Sequence, residues 1–446
     1  MIELSPEIVT VILIGGVVLG ILTGYPIAAM VGGVTFIVGY LLLGDAALVI
    51  IYSRIYQMSL SYPFLAVPLF TFMGVMVQRS GVAEGLFDAI YQWIGGLRGS
   101  LAISTILFGT VLAACLGVIT ASVTMLTLIC LPPMIKRKYD KSLAAGSVCA
   151  GGTLGILIPP SIMLVIYGPM ACISVGKLFM AAIFPGFVLC GLYCTYVAVR
   201  CLLHPEVGPA APPEERKVPF VKKTTKLVTS LFPPVLLIMG VLGSILMGIA
   251  PPTEAASVGA FASIILAVAY RKFGWKLLSD TALQTLRISS FVLFIACLCF
   301  AFVGVFMSTG CGDIVKSWIL NAPGGKWGAF AIVMLLVFIM GMVIDWIGIL
   351  FIIVPILSPV IPTLGFDPLW FGMMVCINLQ MAFMTPPLAA SIFTCRGAAA
   401  PELGVTTAEI IRGSVPFVAL IVAGIGLCIA FPQLILWLPA QMVQKW

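Results

Sequence analysis

Asp345 is the only charged residue between Lys326 and Asp367, in the run "GMVIDWIG" flanked by Gly341 and Gly348. An ionisable side chain at membrane depth marks a functional site by default. It reads equally as the N-cap of the helix after it, a role compatible with holding a ligand. "GVITASVT" (117–124) offers the hydroxyls of Thr120, Ser122 and Thr124 beside Gly117. "GGTLGILIPPSIMLVIYG" (151–168) interrupts an apolar helix with Gly151, Gly152, Gly155 and the pair Pro159–Pro160. A proline in a helix interior costs roughly 3 kcal/mol and pushes the residue before it toward extended geometry. The segment is therefore expected to unwind near 153–160 and restart at Ser161. Unwinding frees carbonyls for a cation and leaves a helix N-terminus that favours an anion. "FMTPPLAAS" (383–391) supplies a second break around Pro386 and Pro387. Thr153, Ser161, Asn378 and Ser391 are candidate substrate contacts; Asn378 and Gln380 either orient a ligand or bridge helices.

Other chemistries are poorly supplied. His204 is the one histidine, and thirteen cysteines lie scattered in apolar runs, with neither Cys190/Cys194 nor Cys297/Cys299 at a metal-pair spacing. There is no phosphate-binding Gly-rich motif. Glu254 reads as a first-turn carboxylate after Pro252 and Thr253. The net charge of +7 is a topology signal, and nothing points to nucleic acid.

The elements that must position these groups follow from composition. The chain is 61% hydrophobic and 9% charged, against about 25% charged for a soluble domain. Runs of about 20 apolar residues recur throughout, so the expectation is an all-α polytopic membrane protein. The N-terminal run lacks a basic n-region and reads as a first membrane helix, with no signal peptide. Spans are expected at 8–23, 27–44, 64–79, 174–202, 226–249, 254–270, 288–307 and 410–438. Amphipathic surface segments are expected at 45–60, with Arg54 between Tyr52 and Tyr56, and at 275–287. Residues 98–135 and 327–362 each read as a re-entrant helical hairpin, and 142–168 and 368–396 as broken helices.

The polar stretch 203–225 divides the chain into 1–202 and 226–446. Gly81 pairs with Gly310 and Gly95 with Gly324 (both offset 229), and Pro159 with Pro386 (offset 227). The halves thus read as repeats. The loop 136–141 is basic ("KRKYDK"), as is the linker with Arg216, Lys217, Lys222, Lys223 and Lys226, whereas the counterpart 358–367 has no basic residue. Because Lys and Arg in short loops stay cytoplasmic, the repeats are read as inverted, an arrangement common in secondary transporters.

"LAAGSVCAGGTLGILIPPSIMLVIYG", "DWIGILFIIVPILSPVIPTLGFDPLWFGMMV" and "NLQMAFMTPPLAASIF" resemble the large membrane subunit (DctM family) of tripartite ATP-independent periplasmic transporters, along essentially the whole chain. The resemblance implies an elevator-type fold of two inverted-topology repeats with opposed hairpins, in a bacterial inner membrane. It implies sodium-driven uptake of a small organic anion delivered by a periplasmic solute-binding protein, and a small four-helix membrane subunit. With no further helix before residue 8, that subunit is expected as a separate chain. Carried over, one sodium site would use Gly117, Thr120 and Ser122 with Gly155, Ile158 and Pro160. The other would use Gly341 and Asp345 with Thr385 and Pro387. The first tip departs from the serine-rich form common in the family. Other readings of the same features are a stand-alone dicarboxylate or citrate carrier and an ion channel.

Overall fold

Glycine and proline punctuate a nearly continuous supply of Leu, Ile, Val, Ala and Phe, and helices fill the intervals. A computed structural model describes residues 4–210, 212 and 219–442, and every regular element among them is helical. The first half comprises α1 (Pro6–Leu22), α2 (Ile27–Leu43), α3 (Asp45–Ser59), α4 (Ala66–Arg79), α5 (Val82–Ile94), α6 (Ser100–Leu116), α7 (Ile119–Lys136), α8 (Lys141–Thr153), α9 (Ile162–Ala171) and α10 (Val175–Leu203). The second comprises α11 (Phe220–Leu246), α12 (Pro252–Ala269), α13 (Trp275–Ser308), α14 (Cys311–Leu320), α15 (Gly325–Gly341), α16 (Trp346–Leu357), α17 (Pro368–Phe383), α18 (Ala390–Ala398), α19 (Thr407–Ala430) and α20 (Gln433–Ala440). Six of these are long and apolar enough to cross a membrane. Large apolar side chains such as Leu19, Ile37, Phe232 and Phe261 stand exposed on the outside, as a lipid-facing surface requires.

Two groups of helices can be picked out by their packing, in extensive contact with each other. In one, α12 lies against α4, and α13 against α2, α3 and α4. In the other, α6, α7 and α19 surround α8, α15 lies on α17, and α10 packs on α6, α19 and α20. The interrupted helices are the centre of this second body: every residue from Ser142 to Thr153 and from Trp370 to Phe383 is buried. The bodies meet where α4 lies on α6 and α9, and where α13 lies on α16.

α6 gives way to α7 at Gly117–Val118, and α15 to α16 at residues 342–345. Three expectations need correction. Residues 275–287 are no separate surface segment but the first third of one helix, α13, running to Ser308. The pair α3–α4, expected to correspond to it in the first half, is bent by 57° between Ser59 and Tyr62, just before Pro63. No proline or glycine occurs between Trp275 and Val303, so nothing interrupts the hydrogen-bond ladder there. The final span, expected over 410–438, ends at Ala430. Ahead of Pro432, Phe431 leaves helical geometry (φ −127°, ψ 75°), and a short helix resumes at Gln433. Finally, α11 begins at Phe220, six residues early, so Lys222, Lys223 and Lys226 lie on its first turns. Arg216 and Lys217 fall outside the described residues.

Candidate functional site

The first break begins where α8 ends at Thr153. One 3-10 turn (Leu154–Ile156) follows, then a cis Pro159–Pro160 peptide, then extended Ser161 (φ −124°, ψ 132°) opening α9. In the second, α17 ends at Phe383, a cis Pro386–Pro387 peptide follows, and Ala389, at φ +36°, precedes α18. Each break is tied by a serine. The Ser161 hydroxyl donates to the carbonyl of Ile156, and that of Ser391 to the carbonyl of Phe383 at 2.7 Å. These hydroxyls replace the amide donors that unwinding removes. The breaks also touch each other: Thr153 Oγ1 lies 3.6 Å from Met384 Sδ, and Cys149 Sγ 3.6 Å from the carbonyl of Ser391.

Each hairpin tip closes on one break. Gly117 takes φ +62°, a left-handed conformation glycine adopts freely. A Cβ there would lie 3.3 Å from the carbonyl oxygen of Pro160 and 3.4 Å from the amide nitrogen of Ile162. At the other tip, Leu388 donates its amide to the carbonyl of Met342 at 2.9 Å. Gly341 permits the approach, since a Cβ there would meet the Ala382 methyl at 2.6 Å. Asp345 occupies the N-cap position of α16.

Between the tips lies a cavity of about 540 Å³. Thr120 and Thr124 line it from the first hairpin, Asp345 and Trp346 from the second, and Ile162 and Ala390 from the first turns of α9 and α18. Two half-helix N-termini therefore border it, a favourable place for an anion. The opposite wall belongs to the other body: Gln78 on α4, and Gln284, Arg287 and Phe291 on α13. Arg79 fixes part of that wall, with Nη1 3.3 Å from Asp280 Oδ2 and Nη2 donating to Gln284 Oε1 at 2.8 Å. The cavity thus holds one guanidinium and one carboxylate, with hydroxyls, amides and an apolar floor.

Of the expected site residues, Thr120 and Asp345 line this cavity. Gly117 and Pro160 meet beside it. Gly155 and Ile158 are buried in the first break, and Ser122 is buried with its hydroxyl unpartnered among the described residues. Thr385 donates to the carbonyl of Met381 at 2.8 Å, and Pro387 is exposed in the second break. None of the four substrate candidates is among the residues lining this cavity. Thr153 donates to the carbonyl of Ala150, Ser161 and Ser391 tie the breaks, and Asn378 donates to the carbonyl of Met334 at 2.7 Å. Asn378 is therefore a brace between α17 and α15, whereas buried Gln380 has no partner for either amide atom among the described residues.

Sequence reasoning passed over Gln78, Gln284 and Arg287. Reading 275–287 as a surface segment placed Arg287 at the interface. In a continuous α13 it stands twelve residues from Trp275, roughly 18 Å along the axis. A lone arginine immediately before "ISSFVLFIACLCFAF" was the available signal.

A family model described as "Tripartite ATP-independent periplasmic transporter, DctM component" matches residues 14–434. The chain is 30% identical to the C4-dicarboxylate TRAP transporter large permease protein DctM of Pseudomonas aeruginosa, over 86% of this chain and 88% of that one. It is 28% identical to the isethionate TRAP transporter permease protein DctMQ of Oleidesulfovibrio alaskensis, over 81% of this chain and 56% of that one. Among solved structures, the Alcanivorax borkumensis YdaH transporter superposes with a TM-score of 0.60 at 14% identity, covering 87% of this chain and 89% of that one. That likeness is one of fold.

Proposed function

The chain belongs to the DctM family of tripartite ATP-independent periplasmic transporters, and from that premise we propose that it imports a small organic anion, a carboxylate or sulfonate, together with sodium. It is a multi-pass membrane transport protein whose relatives are permeases and not enzymes. The observation that carries the reading is the cavity between the two tips, with Arg287 on one wall and Asp345 with the N-termini of α9 and α18 on the other. Such a site gives an anion two sources of positive potential. Sodium is the second cargo. Backbone carbonyls beside the tips, such as that of Pro160 near Gly117 and that of Met342 near Leu388, are hard oxygen donors, and unwound backbone is the usual cation ligand in such transporters.

Because the cavity divides the two helical bodies, its walls can separate: the hairpin body slides past α4 and α13, carrying substrate as an elevator. The matched hairpins and breaks, with the unequal distribution of basic loops, support two inverted repeats in a bacterial inner membrane. Arg79, and Lys272 lying beside Gly81, support a cytoplasmic side for the Gln78–Gln284 edge. A solute-binding protein delivers substrate from the periplasm, and a small four-helix membrane subunit completes the complex. The fused permease of Oleidesulfovibrio alaskensis, longer than this chain, supports that partnership.

The test is uptake of a labelled dicarboxylate or sulfonate into vesicles holding this chain and its small subunit. Uptake should require both a sodium gradient and loaded binding protein. Sodium-dependent uptake without binding protein would indicate a stand-alone carrier, and non-saturating electrodiffusive flux a channel.

A further inference from the structure

Away from the transport cavity, two adjoining hollows open on the lipid-facing side near the end of α10. The larger, about 640 Å³, is lined by Leu192, Val199, Leu203 and Leu420 among others; the smaller, about 270 Å³, by Ser142, Arg412 and Gly413 among others. Both are bordered by Tyr196 and Arg200. The two form one groove, apolar along its length and cationic at one end.

The cationic end is built. Arg200 Nη1 donates to the Tyr196 hydroxyl at 2.6 Å, and the Tyr196 ring is held edge-on against Phe417, centroids 5.3 Å apart. That contact leaves the other donors of the Arg200 fork available. Arg412 stands on α19 at its first turns and is exposed. Among the described residues neither arginine makes an ion pair within 4 Å. The nearest carboxylate on α19, Glu409, is engaged by the Thr406 amide and hydroxyl at 2.7 and 2.8 Å. His204, at the rim, pairs with Glu206 at 3.5 Å. Arg200 in the last turn of α10 and Arg412 in the second turn of α19 sit at one membrane surface, the side carrying Lys136 and Lys141.

We propose that this groove binds an anionic phospholipid. Its phosphate sits between the Arg200 and Arg412 guanidinium groups, and an acyl chain lies along Leu192, Val199 and Leu203. Planar guanidinium forks suit a phosphate, and basic pockets between helices at the cytoplasmic surface suit anionic headgroups. The apolar stretch beside the arginines, with Leu192, Val199 and Leu203, is what selects a lipid over a free anion.

Native mass spectrometry and thermal melting of the purified chain in neutral detergent test this. Titrants are phosphatidylglycerol, phosphatidylcholine of the same chain length, and glycerol phosphate. Phosphatidylglycerol should be retained and raise Tm; the other two should not. Arg200→Gln with Arg412→Gln should weaken retention about tenfold or more, as loss of two charge-assisted contacts implies. Arg200→Lys with Arg412→Lys should retain part of it. Val199→Trp, filling the apolar stretch at an exposed position, should also weaken it while leaving the lipid-free Tm unchanged. Equal retention of both lipids, unchanged binding by the Gln or Trp variants, or stabilisation by glycerol phosphate alone would overturn the proposal.

Discussion

The amide of Leu388 donates to the carbonyl of Met342 at 2.9 Å, fastening the tip of the second hairpin to the second unwound segment. The link is backbone to backbone, so the side chain at 388 is incidental to it. Leu388→Ala should leave sodium-dependent uptake near the parental level. Leu388→Pro removes the donor and should lower sodium-induced thermal stabilisation, with a loss of about 1 kcal/mol in stability. Equal behaviour of the two variants would show that this hydrogen bond does not shape the site.

Asp345→Asn should leave the fold intact, because asparagine has the same shape and suits the N-cap position of α16 equally well, and should abolish or weaken the sodium dependence of transport. Melting curves with sodium or choline chloride, beside uptake over a sodium series, check this. Unchanged sodium activation would remove Asp345 from the cation site.

Arg287→Gln should raise KM for an anionic substrate by about ten- to a hundredfold, the range expected for a charge-assisted hydrogen bond worth 1.5–3 kcal/mol. Arg287→Lys should recover part of the loss. Stability should be unaffected, since Arg287 is exposed and makes no ion pair among the described residues. A pure kcat effect with unchanged KM would separate Arg287 from substrate binding.

The hairpins and breaks were legible because their signals are local: Gly117, Pro159 and Pro386 impose backbone geometry whatever surrounds them. A proline pair alone is not sufficient, however. Pro132–Pro133 remains inside α7 and Pro233–Pro234 inside α11. What accompanies the true breaks is a serine five or eight residues beyond the carbonyl it takes over, as Ser161 does for Ile156 and Ser391 for Phe383. The far wall of the cavity was illegible for a different reason. Gln78 and Gln284 are 206 positions apart, and only the packing of α4 on α13 brings them to one surface. Sequence alone does not show that the Ser391 hydroxyl donates to the Phe383 carbonyl, because that partner is set by the path of the unwound backbone.

Gly117 offers the sharpest test of how a tip meets its break. Two properties demand glycine there: φ of +62°, and a Pro160 carbonyl that a Cβ would approach to 3.3 Å. Gly117→Ala violates both and should cost about 1–2 kcal/mol, with impaired uptake. Gly117→Asn separates them, because asparagine tolerates the left-handed region but still carries the Cβ. If close approach to Pro160 is what matters, Asn should impair sodium-coupled uptake as much as Ala, while its Tm lies nearer the parent. If backbone strain is what matters, Asn should restore uptake and stability together. At the second tip, Gly341→Ala should be harmful for packing reasons alone, with its methyl driven against Ala382, and pairing it with Ala382→Gly should rescue it. Parental uptake by both Gly117 variants would mean that the first hairpin does not need to close on Pro160 for transport, and the cation site placed there would be wrong.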